Sequence, residues 1–328
     1  MSELCIAKLV GSLVMSFPQT VACTATALIG LAGVAQAGQV ESRYFPTDEV
    51  LPLFEPPPSL EREYALFQKS LPFLSEGLVV LSVISFGAQE TDVSPQQQQA
   101  LMAGFNDVYL NIAHDEAMRR VPHSLAYSYQ SVTPTQGHYY AYWPEHVTPD
   151  TPSIIFLHGF GGNFLYYTWL LKEEFPDAII LLPTYTYSWF DGSLDYLREA
   201  EADFEARHPG VAIDDPWLIA LSAGGPAGFR LYNAAPDDFA GFVCLASAPL
   251  GLRARDFKRD LNIYMLNGAT DDRIDIDDVR QMAKQFQRQI PGLKYQELPG
   301  DHFFMLTDRK ETFERVRSYM ELVQPKAN

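Results

Sequence analysis

Positive charge is scarce in this chain. Lysine and arginine total 24 against 41 aspartates and glutamates, a formal net charge of −17 at pH 7. Such an excess repels phosphate backbones and anionic membrane surfaces, so nucleic acid is not an expected partner. A solvated acidic surface suits solubility instead. Cysteine is scarcer still, with three residues in 328. Cys5 and Cys23 both lie in the leading 37 residues, so loss of that segment would leave Cys244 alone and no intramolecular disulfide. Cys244 stands in the apolar run GFVCLAS, the setting of a packed thiol rather than a reactive one. No cluster of His, Cys and carboxylates at ligand spacing stands out, and no metal is expected. There is no internal repeat, and low complexity is confined to Gln96–Gln99 and Pro56–Pro58.

Residues 1–37 end in an apolar run from Val21 to Val34 followed by Ala35 and Ala37 before Gly38. The arrangement resembles a secretory signal with an A-x-A cleavage site, which implies an exported chain, secreted or periplasmic. The run is shorter than the ~20 residues that span a bilayer, so no stable membrane span is expected in the mature chain. An uncleaved N-terminal anchor is the alternative.

Three regions are expected along the chain: the signal segment 1–37, an N-terminal extension 38–125, and a catalytic domain 126–328. Residues 38–58 are polar and Pro-rich and read as an extended lead-in with little structure. Residues 59–87 open on a helix-start pattern at Ser59, Glu61 and Glu63, break at Pro72, and end in LVVLSVISF, a strand or a buried helical turn. Ser94 reads as an N-cap with Pro95 at the first helical position, and Leu101, Phe105, Val108, Leu110 and Ile112 recur at roughly helical spacing. The extension is thus expected to be largely helical.

After Pro122 short apolar runs alternate with helical patterns, as βαβ units require. Strands are expected at HYYAYWPE, SIIFLH, AIILLP, PWLIALS, GFVCLAS, LNIYMLNG and LKYQELPG, with helices over 193–207, 225–233, 275–289 and 308–323. Near-continuous apolar strands imply a mostly parallel sheet covered by helices on both faces.

The run WLIALSAGGPAGF carries one hydroxyl, Ser222, between an apolar strand and a helix start, flanked by Ala220, Ala223, Gly224 and Gly225. Small residues two positions before and after let a strand turn sharply into a helix with the serine at the apex. The stretch resembles the G-x-S-x-G nucleophile elbow of the α/β-hydrolase fold superfamily, in its serine esterase and lipase-like members, with Ala220 in place of the first glycine. A serine nucleophile needs an imidazole base, and the imidazole needs a carboxylate. Downstream, Asp271 follows Gly268 by three residues after an apolar strand, resembling the family's G-x-x-D loop, with Asp272 an immediate rival. His302 then follows the last strand in ELPGDHFF, resembling the family's histidine loop. The order Ser, Asp, His is the α/β-hydrolase one.

The turn HGFGGN after SIIFL is glycine-rich, so its backbone amides can point inward, and it lacks the Lys and Ser or Thr of a phosphate-binding loop. The resemblance implies oxyanion donors at the amides of Phe160 and Ala223, with His158 and Gly159 bracing that loop. It also implies an α/β-hydrolase fold covering 138–323 and no cofactor. Between GFVCLAS and LNIYMLNG stands only APLGLRARDFKRD, too short for an inserted cap. Tyr185, Tyr187, Trp189 and Phe190, with Tyr166, Tyr167 and Trp169 as the oxyanion loop runs on, either line an acyl pocket or sugar groove or pack helices on the sheet. The expected activity is hydrolysis of a small-molecule carboxylic ester. A peptidase or amidase with the same parts, or a non-catalytic binding protein on this scaffold, are the alternatives; oligomeric state is not legible.

Overall fold

The computed structural model describes residues 38–51, 56, 58, 61–80, 95–130 and 136–323. The expected signal segment, Ser59, most of LVVLSVISF and Ser94 lie outside the described residues.

Eight strands form one sheet in the order β1-β2-β4-β3-β5-β6-β7-β8. They are β1 (Gln39–Pro46), β2 (Gln136–Trp143), β3 (Ser153–Leu157), β4 (Ile179–Thr184), β5 (Trp217–Leu221), β6 (Gly241–Leu245), β7 (Ile263–Gly268) and β8 (Leu293–Leu298). β2 runs antiparallel to both β1 and β4; β4, β3 and β5 to β8 are parallel. Every one of the seven expected apolar runs is a strand.

Side chains alternate faces along each strand, so one sheet sorts into two cores. Ile154, Phe156, Ile180, Leu182, Ile219 and Leu221 point to the side covered by the helices Leu165–Glu174 and Arg309–Val323. Ile155, Leu157, Leu181, Leu218, Ala220 and Cys244 point to the side covered by Leu194–Arg207, Gly225–Ala234 and Ile276–Gln289. Ser193 and Asp275 cap two of these helices by accepting backbone amides. From β6 to β7 the chain passes through a single 3-10 turn, Ala254–Asp256, with no inserted cap. None of the described helices is long and apolar enough to cross a membrane.

Three expectations are corrected. Residues 39–46 are not a bare lead-in but the edge strand β1, paired with β2 along its whole length. Only Phe45 is fully buried there, stacked in the space above Gly137, while Glu41 and Arg43 occupy the rim. An edge strand needs one anchor and tolerates charge, so its apolar pattern is weak. Residues 165–174 are a helix rather than a continuing loop. Its first seven residues, Leu165 to Leu171, are all buried, so it lacks the one-sided period that marks a helix in sequence. In the helix Pro95–His114, Leu101, Phe105, Val108 and Ile112 are buried but Leu110 is 51% exposed. Steps of four, three and four keep the first four on one face; position 110 falls off it.

Candidate active site

Ser222 follows β5 with φ +50, a left-handed conformation that costs a non-glycine residue about 1–2 kcal/mol. The strain is held by packing against the following helix. A Cβ on Gly224 would stand 2.6 Å from the Leu157 carbonyl oxygen and 2.8 Å from that of His158, so only glycine lets the turn lie against the end of β3. A Cβ on Gly225 would overlap the Ser247 hydroxyl. Deeper in, Ala220 lies beneath Gly228, where a larger residue would push the helix away.

The structure brings three of the expected residues into one hydrogen-bonded chain. Ser222 Oγ is 2.8 Å from His302 Nε2, across 80 positions of sequence. His302 Nδ1 is 2.8 Å from Asp271 Oδ2. The other oxygen of Asp271 accepts the amides of Arg273 at 2.8 Å and Ile274 at 3.0 Å, and the carboxylate is fully buried. An ionised carboxylate only accepts, so the proton on this side of the ring sits on Nδ1 and Nε2 is left to accept from the serine hydroxyl. Asp272 turns instead toward Arg273, 3.4 Å from its Nε.

The glycine-rich turn lies against this chain: a Cβ on Gly159 would stand 3.2 Å from Ser222 Cβ and 3.8 Å from its hydroxyl. His158 is buried, and burial holds its pKa down to about 3, against an opposing hydrogen bond to Gly159. The Tyr185 amide donates to its Nε2 at 3.1 Å, so the single ring proton is on Nδ1 and is donated to the Gly159 carbonyl at 2.8 Å. A neutral ring with both nitrogens occupied braces the loop and is not free for proton transfer. The Gly161 amide donates to the Tyr187 carbonyl at 2.8 Å, a second tie to the segment after β4. Phe160 lies between these ties, its ring edge-on to Tyr187 at 5.7 Å. Ala223 is in the first turn after Ser222, where amides have no intrahelical acceptor.

Of the aromatic residues, Tyr166, Tyr167, Trp169, Tyr185 and Trp189 are buried in the two cores, and Phe190 is exposed. Tyr187 stands beside Phe160. Two residues had no recognisable signal in sequence. Ser247 reads as the end of an apolar run, yet its hydroxyl donates to the Ser222 carbonyl at 2.6 Å. Glu76, far upstream, accepts the amides of Leu165 at 2.9 Å and Tyr166 at 3.3 Å and the Tyr109 hydroxyl at 2.7 Å. It caps the helix that follows the glycine-rich turn, whose own N-cap residue, Phe164, offers no side-chain acceptor.

N-terminal residues support both loops. Tyr64 and Phe67, in the helix Glu61–Ser70, share a cluster with Phe160, Phe164 and Tyr187. Phe105 stands 6.5 Å from Phe303, next to His302.

The strand order, the antiparallel β2 and the strand–serine–helix turn define an α/β-hydrolase fold. No family model matches the chain, and a search of curated proteins matches none. Among solved structures it is similar to a thermostable esterase, 18% identical with a TM-score of 0.44 over 57% of this chain and 58% of that one. The chain thus spans little over half the length of that relative. It is also similar to a putative dienelactone hydrolase from Klebsiella pneumoniae, 16% identical with a TM-score of 0.46 over 58% of this chain and 94% of that one. An esterase from Thermogutta terrifontis matches at 12% identity with a TM-score of 0.45, over 59% and 97%.

Proposed function

We propose that the chain is a serine hydrolase that cleaves carboxylic esters through an acyl-enzyme. The observation that supports it most is the chain Ser222–His302–Asp271 at 2.8 Å and 2.8 Å, with the serine held at positive φ on its turn. His302 Nε2 takes the Ser222 proton as Oγ bonds to the ester carbonyl carbon. The carbonyl oxygen becomes an oxyanion between the amides of Phe160 and Ala223. The bond to the leaving alcohol then breaks, and that alcohol takes the proton from His302. Water next attacks the acyl carbon while giving His302 a proton, the bond to Oγ breaks, and Oγ recovers that proton as the carboxylic acid leaves. Asp271 holds the ring and stabilises the imidazolium in both halves. Nothing in these steps calls for a cofactor.

The test is covalent labelling by a fluorophosphonate, expected at one site in the wild type and absent in Ser222→Ala. No labelling of the folded wild type would overturn the proposal in favour of a non-catalytic scaffold. Among labelled outcomes, turnover of p-nitrophenyl esters but not aminoacyl anilides is expected; the reverse would mark a peptidase. The proposal includes export, supported by residues 1–37. Mass spectrometry of the exported fraction should then find a chain starting at Gly38, whereas an intact leader on membranes would mark an anchor.

A further inference from the structure

We propose that Ser247 is a positioning residue that aims the Ala223 amide at the developing oxyanion by holding the carbonyl of the same peptide unit. The inference rests on the hydrolase reading above. The Ser222 carbonyl and the Ala223 N–H belong to one planar peptide, and with no cis bonds among the described residues they point in opposite directions. Whatever fixes the carbonyl therefore fixes the donor. Ser247 Oγ donates to that carbonyl at 2.6 Å from a fully buried position. A hydrogen bond accepted at the oxygen also polarises the N–H on the far side of the amide.

The need to satisfy an orphaned carbonyl does not account for the bond. The Ser222 oxygen already accepts the Gly225 amide. Three further features converge on placing this one hydroxyl. Ala246, the residue before it, sits at φ +48, a strained conformation for a residue with a side chain. Its amide is tied to the Leu266 carbonyl at 2.9 Å, and the Ser247 carbonyl accepts the Asn267 side-chain amide at 3.1 Å, so β7 holds both ends of the bend. Position 225 carries glycine, the one residue whose side chain does not overlap the hydroxyl. Asn267 itself lies four residues before Asp271, so the peptide carrying the proposed donor and the loop carrying the acid are braced from one strand end.

The experiment compares Ser247→Ala and Ser247→Cys with wild type on a p-nitrophenyl ester and on a trifluoromethyl ketone, which forms a hemiketal oxyanion on Ser222. For Ser247→Ala, kcat should fall about tenfold with KM within about twofold, and ketone affinity should fall by the same factor, since the interaction exists only with the charged oxygen. Ser247→Cys retains a hydrogen at this position on a bulkier, weaker donor and should fall between. Fluorophosphonate titration counts folded sites in each variant. If the wild type is not labelled, the hydrolase reading fails; if it is labelled and Ser247 variants keep wild-type ketone affinity, the Ser247 inference fails alone. A kcat loss with unchanged ketone affinity overturns it equally, and if Ser247→Ala does not fold, Ser247→Cys decides on the same criterion.

Discussion

Glu76 and Leu165 lie 89 positions apart, and the carboxylate of one caps the helix that begins at the other. Burial pushes the Glu76 carboxyl up to about 7 against the three hydrogen bonds it accepts, which favour the ionised form. A carboxyl raised in the folded state contributes stability that is complete below its unfolded value near 4.5 and is lost as pH rises through about 7. Glu76→Gln removes that dependence, so its stability relative to wild type should rise by about 3 kcal/mol between pH 4 and pH 8. Chemical denaturation of both proteins at the two pH values checks this. At pH 4 the variant should be the weaker protein, because one of its amide hydrogens meets a backbone donor.

Two buried imidazoles act in the opposite sense to Glu76 as pH falls. His138 is fully buried between the Ser42 and Thr184 hydroxyls, and burial first, then the neighbouring His158, brings it down to about 3. His158 stands equally low. Rings depressed in the fold give stability that is present above about 6.5 and is lost as pH falls toward 3, since only the unfolded chain takes up protons there. The pair should contribute a slope of about 2.7 kcal/mol per pH unit between pH 6 and pH 4. His138→Gln should remove about half of it, measured as calorimetric stability across that window.

If the proposed mechanism holds, Ser222→Ala and His302→Ala should each reduce kcat by about 10⁴- to 10⁶-fold, and Asp271→Asn by about 10⁴-fold, with little change in melting temperature. Asp272→Asn should leave kcat within about twofold, because its carboxylate faces Arg273 and not the ring. Steady-state kinetics on one chromogenic ester distinguishes the two aspartates.

One methyl group should have opposite signs at two glycines. At Gly224 it meets the carbonyl oxygens of Leu157 and His158, backbone atoms that cannot move alone, and Gly224→Ala should cost about 1–3 kcal/mol along with most of the activity. At Gly104, inside the helix Pro95–His114, it meets only the Leu306 side chain at 3.4 Å. Gly104→Ala should stabilise by about 0.5–1 kcal/mol through helix propensity. Thermal melts of the two variants should move in opposite directions from wild type.

What was legible in sequence was whatever is encoded locally. Six buried strands, β2 to β7, are apolar runs in sequence, β8 is an edge strand buried only at Leu293 and Leu298, and Ser222, Asp271 and His302 each stand in a short strand-end setting that the fold reproduces. The helix 165–174 was hidden because its cap, Glu76, arrives from another part of the chain. β1 was hidden because an edge strand needs a single anchor, Phe45. Ser247 was invisible for a related reason: a lone serine at a strand end means nothing until the carbonyl it reaches is known. In each case the missing information is a contact between distant positions.

The helices 61–70 and 95–114 grip the two loops of the site from outside, one through the Phe160 cluster and the other through Phe303. Neither contributes a strand to the sheet, so loosening of these two helices alone would release the proposed oxyanion donor at Phe160 and the proposed base His302 together. Mild warming should therefore silence the protein before it unfolds it, with turnover failing at a lower temperature than the cooperative melt seen by circular dichroism.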